Sequence, residues 1–91
     1  MKYYVYVLRS KKDGKRYIGF TNNIKRRINQ HNTGMVLSTK TRIPFELKYV
    51  EEFLNRSAAR DREKYFKTAA GRRFLGKLYK SAGGGMADTY V

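Results

Sequence analysis

A chain of 91 residues with 21 Lys+Arg against 7 Asp+Glu carries a formal charge of +14, which leaves room for one domain with a modest core and predicts a polyanionic partner. The absence of cysteine and the single histidine, His31, exclude disulfides, thiolate zinc sites and His-rich metal sites. A bound metal is therefore expected to be a hard, oxygen-ligated ion such as Mg²⁺ or Mn²⁺.

The positive charge recurs through nearly the whole chain, so nucleic acid is the first expected partner and an acidic membrane surface the rival. No apolar run approaches the ~18 residues of a membrane span. The start, Met1 to Leu8, is too short for a signal-peptide core, and Arg9 follows at once. A cytoplasmic, nucleoid-associated protein is expected.

Residues 2–9 alternate, with Tyr4, Tyr6 and Leu8 facing one way and Tyr3, Val5 and Val7 the other, which reads as a strand. Asp13-Gly14 supplies the turn of a hairpin, and residues 16–20 return as a second strand. Thr21, Asn22 or Asn23 can cap a helix over 22–33, which Gly34 ends with a left-handed C-terminal cap. A basic loop over 35–44 closes at Pro44. A third strand follows over 45–53, with Phe45, Leu47, Tyr49 and Phe53 on one face. Ser57 is the expected cap of a helix over 58–70, broken by Gly71, and a short third helix follows over 72–80. The element order is ββαβαα. Residues 1–81 are expected to form the domain, and Gly83-Gly84-Gly85 to open a disordered tail over 82–91.

The helical phases are informative. With Ile24 at 0° and steps of ~100° per residue, Ile28 falls near ~40°, His31 near ~−20° and Arg27 near ~−60°. In the next helix, with Ala59 at 0°, Glu63 lies near ~40° and Phe66 near ~−20°, while Asp61 points away. Two helices thus aim ionisable groups at faces that should be apolar. Buried charge is costly unless it is paired, metal-bound or catalytic, and an inward arginine, histidine and carboxylate point to phosphate chemistry.

Tyr4-Val5-Tyr6, Tyr17-Ile18-Gly19, Arg27 with His31 four residues on, the Ser38-Thr39-Lys40 loop and Glu63 together resemble the GIY-YIG nuclease superfamily over about residues 3–78. The nearest likeness is to its small stand-alone bacterial members, related to the catalytic domain of an excinuclease. The resemblance implies cleavage of DNA phosphodiesters with one divalent metal. The expected fold is an α/β (α+β) domain, a three-stranded antiparallel sheet with flanking helices.

The resemblance assigns roles residue by residue. Glu63, the only carboxylate on an inward helical face, is the expected metal ligand, with pairing to a neighbouring arginine as its plain structural alternative. Arg27 is expected to hold the scissile phosphate with its planar fork. His31 is expected to orient and donate a hydrogen bond, or otherwise to be a satisfied core histidine. Tyr6 is the expected general base and Tyr17 the residue that positions water and phosphate. Gly19 is expected to clear the way for DNA beside the second strand. Lys25, Arg26, Lys40, Arg42 and the cluster Arg72-Arg73-Lys77-Lys80 are the expected phosphate-tracking residues.

The chain departs from the family pattern twice. Tyr4 stands where the first tripeptide has glycine, and no asparagine follows Asn55, so the late asparagine of many members is missing. An endonuclease of repair or recombination is the expected function, acting on DNA that could be branched or otherwise structured, with no small-molecule cofactor. The alternatives are a non-catalytic nucleic-acid-binding module of the same fold and a basic protein bound to RNA.

Overall fold

The computed structural model describes residues 1–81, with side chains as far as residue 77. The tail expected over 82–91 lies outside the described residues. Strands β1 (Tyr3–Ser10), β2 (Arg16–Thr21) and β3 (Phe45–Phe53) and helices α1 (Ile24–Asn32), α2 (Arg56–Phe66) and α3 (Ala69–Ser81) follow in the order ββαβαα. A short 3₁₀ turn, Lys40–Arg42, interrupts the loop before β3.

The three strands form one antiparallel sheet in the order β2-β1-β3. β1 is central and covered on both faces, which is why Val5, Tyr6, Val7 and Leu8 are all buried. Its hairpin with β2 turns through Gly14 at φ 73°. The Ser10 hydroxyl oxygen accepts from the amides of Lys12 and Asp13, so a fully buried serine organises the turn.

The two faces hold separate half-cores. On one, Val5 and Val7 pack with Ala59 of α2, Phe66 of α2 and Leu75 of α3. On the other, Tyr6, Leu8 and Phe45 pack with Ile24 and Ile28 of α1. The strict alternation expected for β3 does not hold. Val7 faces Tyr49 but Leu8 faces Leu47, so Lys48 is an extra residue in the ladder. Such a bulge flips the phase of everything beyond it. Phe45 and Leu47 therefore lie on the Tyr6 face, and Tyr49 and Phe53 on the Val5 face.

α1 begins at Asn23, whose side chain accepts from the Arg26 amide, and unwinds at Gly34 with φ 80°. The expected boundaries of α2 and α3 need correction. Asn55, not Ser57, caps α2, its Oδ1 accepting from the Ala58 amide. α2 stops at Phe66, and Ala70 belongs to α3, where it is exposed. The break falls at Lys67-Thr68: the Thr68 hydroxyl donates to the Tyr65 carbonyl and accepts from the Gly71 amide.

Gly71 is thus inside α3 and does not break a helix. A Cβ there would sit 2.0 Å from the Tyr65 carbonyl oxygen and 2.5 Å from the Phe66 Cα. Both obstacles are backbone and cannot swing away. Gly71→Ala should destabilise the domain by about 3 kcal/mol or more. The urea midpoint should fall accordingly, and an unchanged midpoint would show that α3 does not need this close approach.

Candidate active site

The site grows from the β1–β2 hairpin. Tyr6 and Gly19 are direct cross-strand partners, and the phenol of Tyr6 folds over the glycine. A Cβ at Gly19 would lie 2.6 Å from the Tyr6 hydroxyl oxygen and 3.3 Å from the Tyr17 ring. The space expected to admit DNA is therefore filled by Tyr6, and the need for glycine is internal to the protein.

α1 lays His31 across the two tyrosines. The Tyr17 and His31 rings meet edge to face at 4.8 Å, and the Tyr6 and Tyr17 rings lie 6.4 Å apart. The Tyr6 hydroxyl is 3.0 Å from His31 Nε2, and His31 Nδ1 is 2.9 Å from the Thr39 hydroxyl, which donates on to the Val36 carbonyl at 3.4 Å. With its proton on that carbonyl, Thr39 accepts from His31. Nδ1 then carries the imidazole proton, and Nε2 accepts from Tyr6. Tyr6, His31 and Thr39 are all fully buried.

Burial, with the charge of Arg27 in support, pushes the His31 pKa down to about 4. Burial also pushes Tyr6 up to about 12, against the hydrogen bond from Arg27, which pulls it down. At neutral pH the pair is a phenol and a neutral imidazole.

His31 therefore makes the stability of the fold depend on pH. The unfolded chain protonates it near the ordinary value of 6.5, and the fold keeps it neutral to about 4. Its contribution is complete above pH 6.5 and is lost as pH falls from there towards 4, by roughly 3 kcal/mol in all. Thermal unfolding of wild type beside His31→Gln should show a steeper acid loss for wild type within that window. Parallel curves would mean that His31 titrates normally in the fold.

Arg27 stands one turn before His31, half-buried, with Nη1 donating to Gln30 Oε1 at 3.1 Å. Glu63 reaches the same place from α2, close enough for its charge to act on the Tyr6 hydroxyl. Its side chain is 17% exposed, and Oε2 accepts from Lys67 Nζ at 3.1 Å. The carboxylate–arginine pairing weighed for Glu63 occurs instead at Glu51, which Arg62 grips with two donors. Tyr6, Tyr17 and His31 are thus in contact, with Arg27 and Glu63 acting on one hydroxyl.

The basic residues divide. Lys25, Arg26, Lys40, Arg72, Arg73 and Lys77 are exposed, while the side chain of Lys80 lies outside the described residues. Arg42 has an internal role as well: it pairs with Asp13 at 2.9 Å, donates to the Arg16 carbonyl at 3.4 Å and covers the Phe45 ring. It ties the 3₁₀ turn to the hairpin. Sequence reasoning gave no role to Thr39, although it lies in the Ser38-Thr39-Lys40 loop, and overlooked Lys67, one turn after Glu63.

Among the described residues no three or more His, Cys, Asp or Glu side chains gather into a metal cluster. The donor set at the site is one mostly covered carboxylate already facing a cation, Lys67. That chemistry fits a hard divalent ion held through Glu63 and completed by water, and does not fit zinc.

A tyrosine on each strand of a hairpin, a helix with arginine and histidine one turn apart and a carboxylate from a second helix define a nuclease-superfamily catalytic domain. The chain belongs to the GIY-YIG catalytic domain family, whose model matches residues 2–77. It is 43% identical to a UPF0213 protein of Oceanobacillus iheyensis, covering 68% of this chain and 72% of the relative. It is 45% identical to a UPF0213 protein of Limosilactobacillus reuteri, covering 72% and 71%. It is also similar to the solution NMR structure of the UPF0213 protein BH0048 of Bacillus halodurans, at 33% identity, with a TM-score of 0.54 and coverage of 86% and 85%. Among the described residues no helix is long and apolar enough to cross a membrane.

Proposed function

We propose that this protein is a metal-dependent DNA endonuclease that hydrolyses phosphodiester bonds with a single divalent ion, Mg²⁺ or Mn²⁺. The observation that carries the reading is the Tyr6 hydroxyl, held by a neutral His31 and flanked by Arg27 and Glu63. A core tyrosine placed only for packing does not need a guanidinium bonded to its hydroxyl and a carboxylate within electrostatic reach of it.

Glu63 would hold the ion, which would supply the Lewis acidity that makes water easier to deprotonate and the phosphate more electrophilic. Arg27 clamps the scissile phosphate and stabilises the charge that develops on it. Tyr6 takes the proton of the attacking water as it passes its own to His31 Nε2, because a phenol with a pKa near 12 stays protonated at neutral pH. Thr39 holds the tautomer that leaves Nε2 open to that proton. Phosphate on Arg27 offsets the charge that depresses His31, so substrate binding makes the imidazole a better acceptor. Tyr17, packed edge to face against His31, bounds the place where water and phosphate meet.

One such site nicks one strand. A role in repair or recombination, close to the nucleoid, fits the charge of +14 and the bacterial relatives. The test is a labelled panel of duplex, single strand, flap and four-way junction with Mg²⁺, Mn²⁺ or EDTA. Metal-dependent product is expected and will name the preferred shape. Binding without product under every metal would leave a nucleic-acid-binding module.

A further inference from the structure

Beside the active site lies a cleft of about 510 Å³, between the β1–β2 turn and the α2–α3 junction. Its size falls within the range of roughly 300–1,000 Å³ typical of ligand sites. Lys15, Arg16, Lys67 and Arg72 line it, no acidic residue does among the described residues, and the partly exposed Tyr17 and Ile18 give it an apolar floor. The cations come from the turn, β2, the C-terminal end of α2 and α3, so the fold gathers them from distant parts of the sequence. Arg72 is held in place, its Nη1 donating to the Lys67 carbonyl at 3.3 Å.

We propose that this cleft is a second subsite for DNA, binding a backbone phosphate of the strand next to the one that is cut. The proposal rests on the nuclease reading and adds where the strand runs. Tyr17 lines the cleft and also packs on His31, so the cleft and the active site adjoin at β2, an edge strand, and a strand passing over this sheet edge can reach both. Lys67 joins them a second time: it lines the cleft and pairs with Glu63. An ion held by Glu63 would replace Lys67 at that carboxylate and leave Lys67 for the neighbouring phosphate. The apolar floor suits a sugar or base, which favours a polynucleotide over a free anion.

The experiment is DNA binding in EDTA, where no cutting occurs, over a salt series with a short duplex. Wild type is compared with Lys15→Ala/Arg72→Ala and with Arg60→Ala/Lys64→Ala, which removes two exposed charges outside the cleft. The cleft variant should lower the slope of log K against log salt by about 0.9 for each phosphate it no longer neutralises, and the control should not. Lys15→Glu, a reversal in an exposed turn, gives the same comparison should the double variant unfold. In ¹⁵N–¹H spectra the duplex should shift the amides of residues 14–18 and 66–72. Cleavage by wild type with equal slopes for all proteins overturns the subsite and leaves the nuclease reading standing. No DNA binding by wild type overturns both.

Discussion

Glu63→Gln should abolish cleavage, by about 10³-fold or more, while DNA binding in EDTA is unchanged or tighter. The magnitude is that of losing the principal electrostatic contribution at a phosphoryl centre. The opposite sign for binding has a Coulombic cause. A carboxylate beside a phosphate repels it unless a cation lies between them, and the amide removes that repulsion. The fold should survive. Glutamine keeps the shape, and the pair with the half-exposed Lys67 contributes at most about 1 kcal/mol. Single-turnover cleavage and anisotropy with the same labelled DNA measure both effects. If instead Mg²⁺ merely weakens the complex, equally for wild type and variant, the ion is only screening and the protein is a binding module.

The features visible in the sequence were those fixed by local rules. Asp13-Gly14 made the hairpin turn, Gly34 closed α1, and the helical phase placed His31 inward because α1 is a regular helix. Features set by tertiary pairing were hidden. The Lys48 bulge exists because β3 pairs with β1 in two registers, and no alternation within β3 marks where the phase flips. Gly71 is the nearest helix breaker in the sequence, but the Thr68 side chain ends one helix and starts the next. Gly71 is required by its closeness to a backbone that the helix pattern does not reveal.

The site divides along the same line. The inward placement of Arg27, His31 and Glu63 was legible from helical phase. The filling of Gly19 by Tyr6 was not, since a glycine opposite a tyrosine says nothing of how the ring will lie. Arg42 read as one more surface cation because its partner, Asp13, is 29 residues away. Lys67 lies at i+4 from Glu63, a spacing at which side chains meet on a helix, and lysine rather than arginine is the partner there. The missing late asparagine has a neighbour in sequence but not in role, because Asn55 is occupied in capping α2.

Tyr6→Phe should lower the cleavage rate by about 10²–10⁴-fold, the usual range for losing a positioned proton carrier. It should also destabilise the domain by about 1–3 kcal/mol, because His31 Nε2 is left buried without a donor. DNA affinity in EDTA should change little, since the ring still fills the space over Gly19 and Arg27 keeps its charge and its bond to Gln30. These three readouts separate the roles open to the hydroxyl. A hydroxyl that serves only as a structural tie would produce the stability loss with a nearly normal rate once the variant is assayed well below its Tm. A proton carrier loses rate at every temperature at which the variant is folded. Chemistry at Tyr6 should also be free of inflections from this pair across neutral pH, because the free protein holds His31 near 4 and Tyr6 near 12. An inflection near pH 7 in kcat/KM that disappears in Tyr6→Phe would mean that His31 is exposed to solvent before DNA arrives, and that the buried relay forms only in the complex.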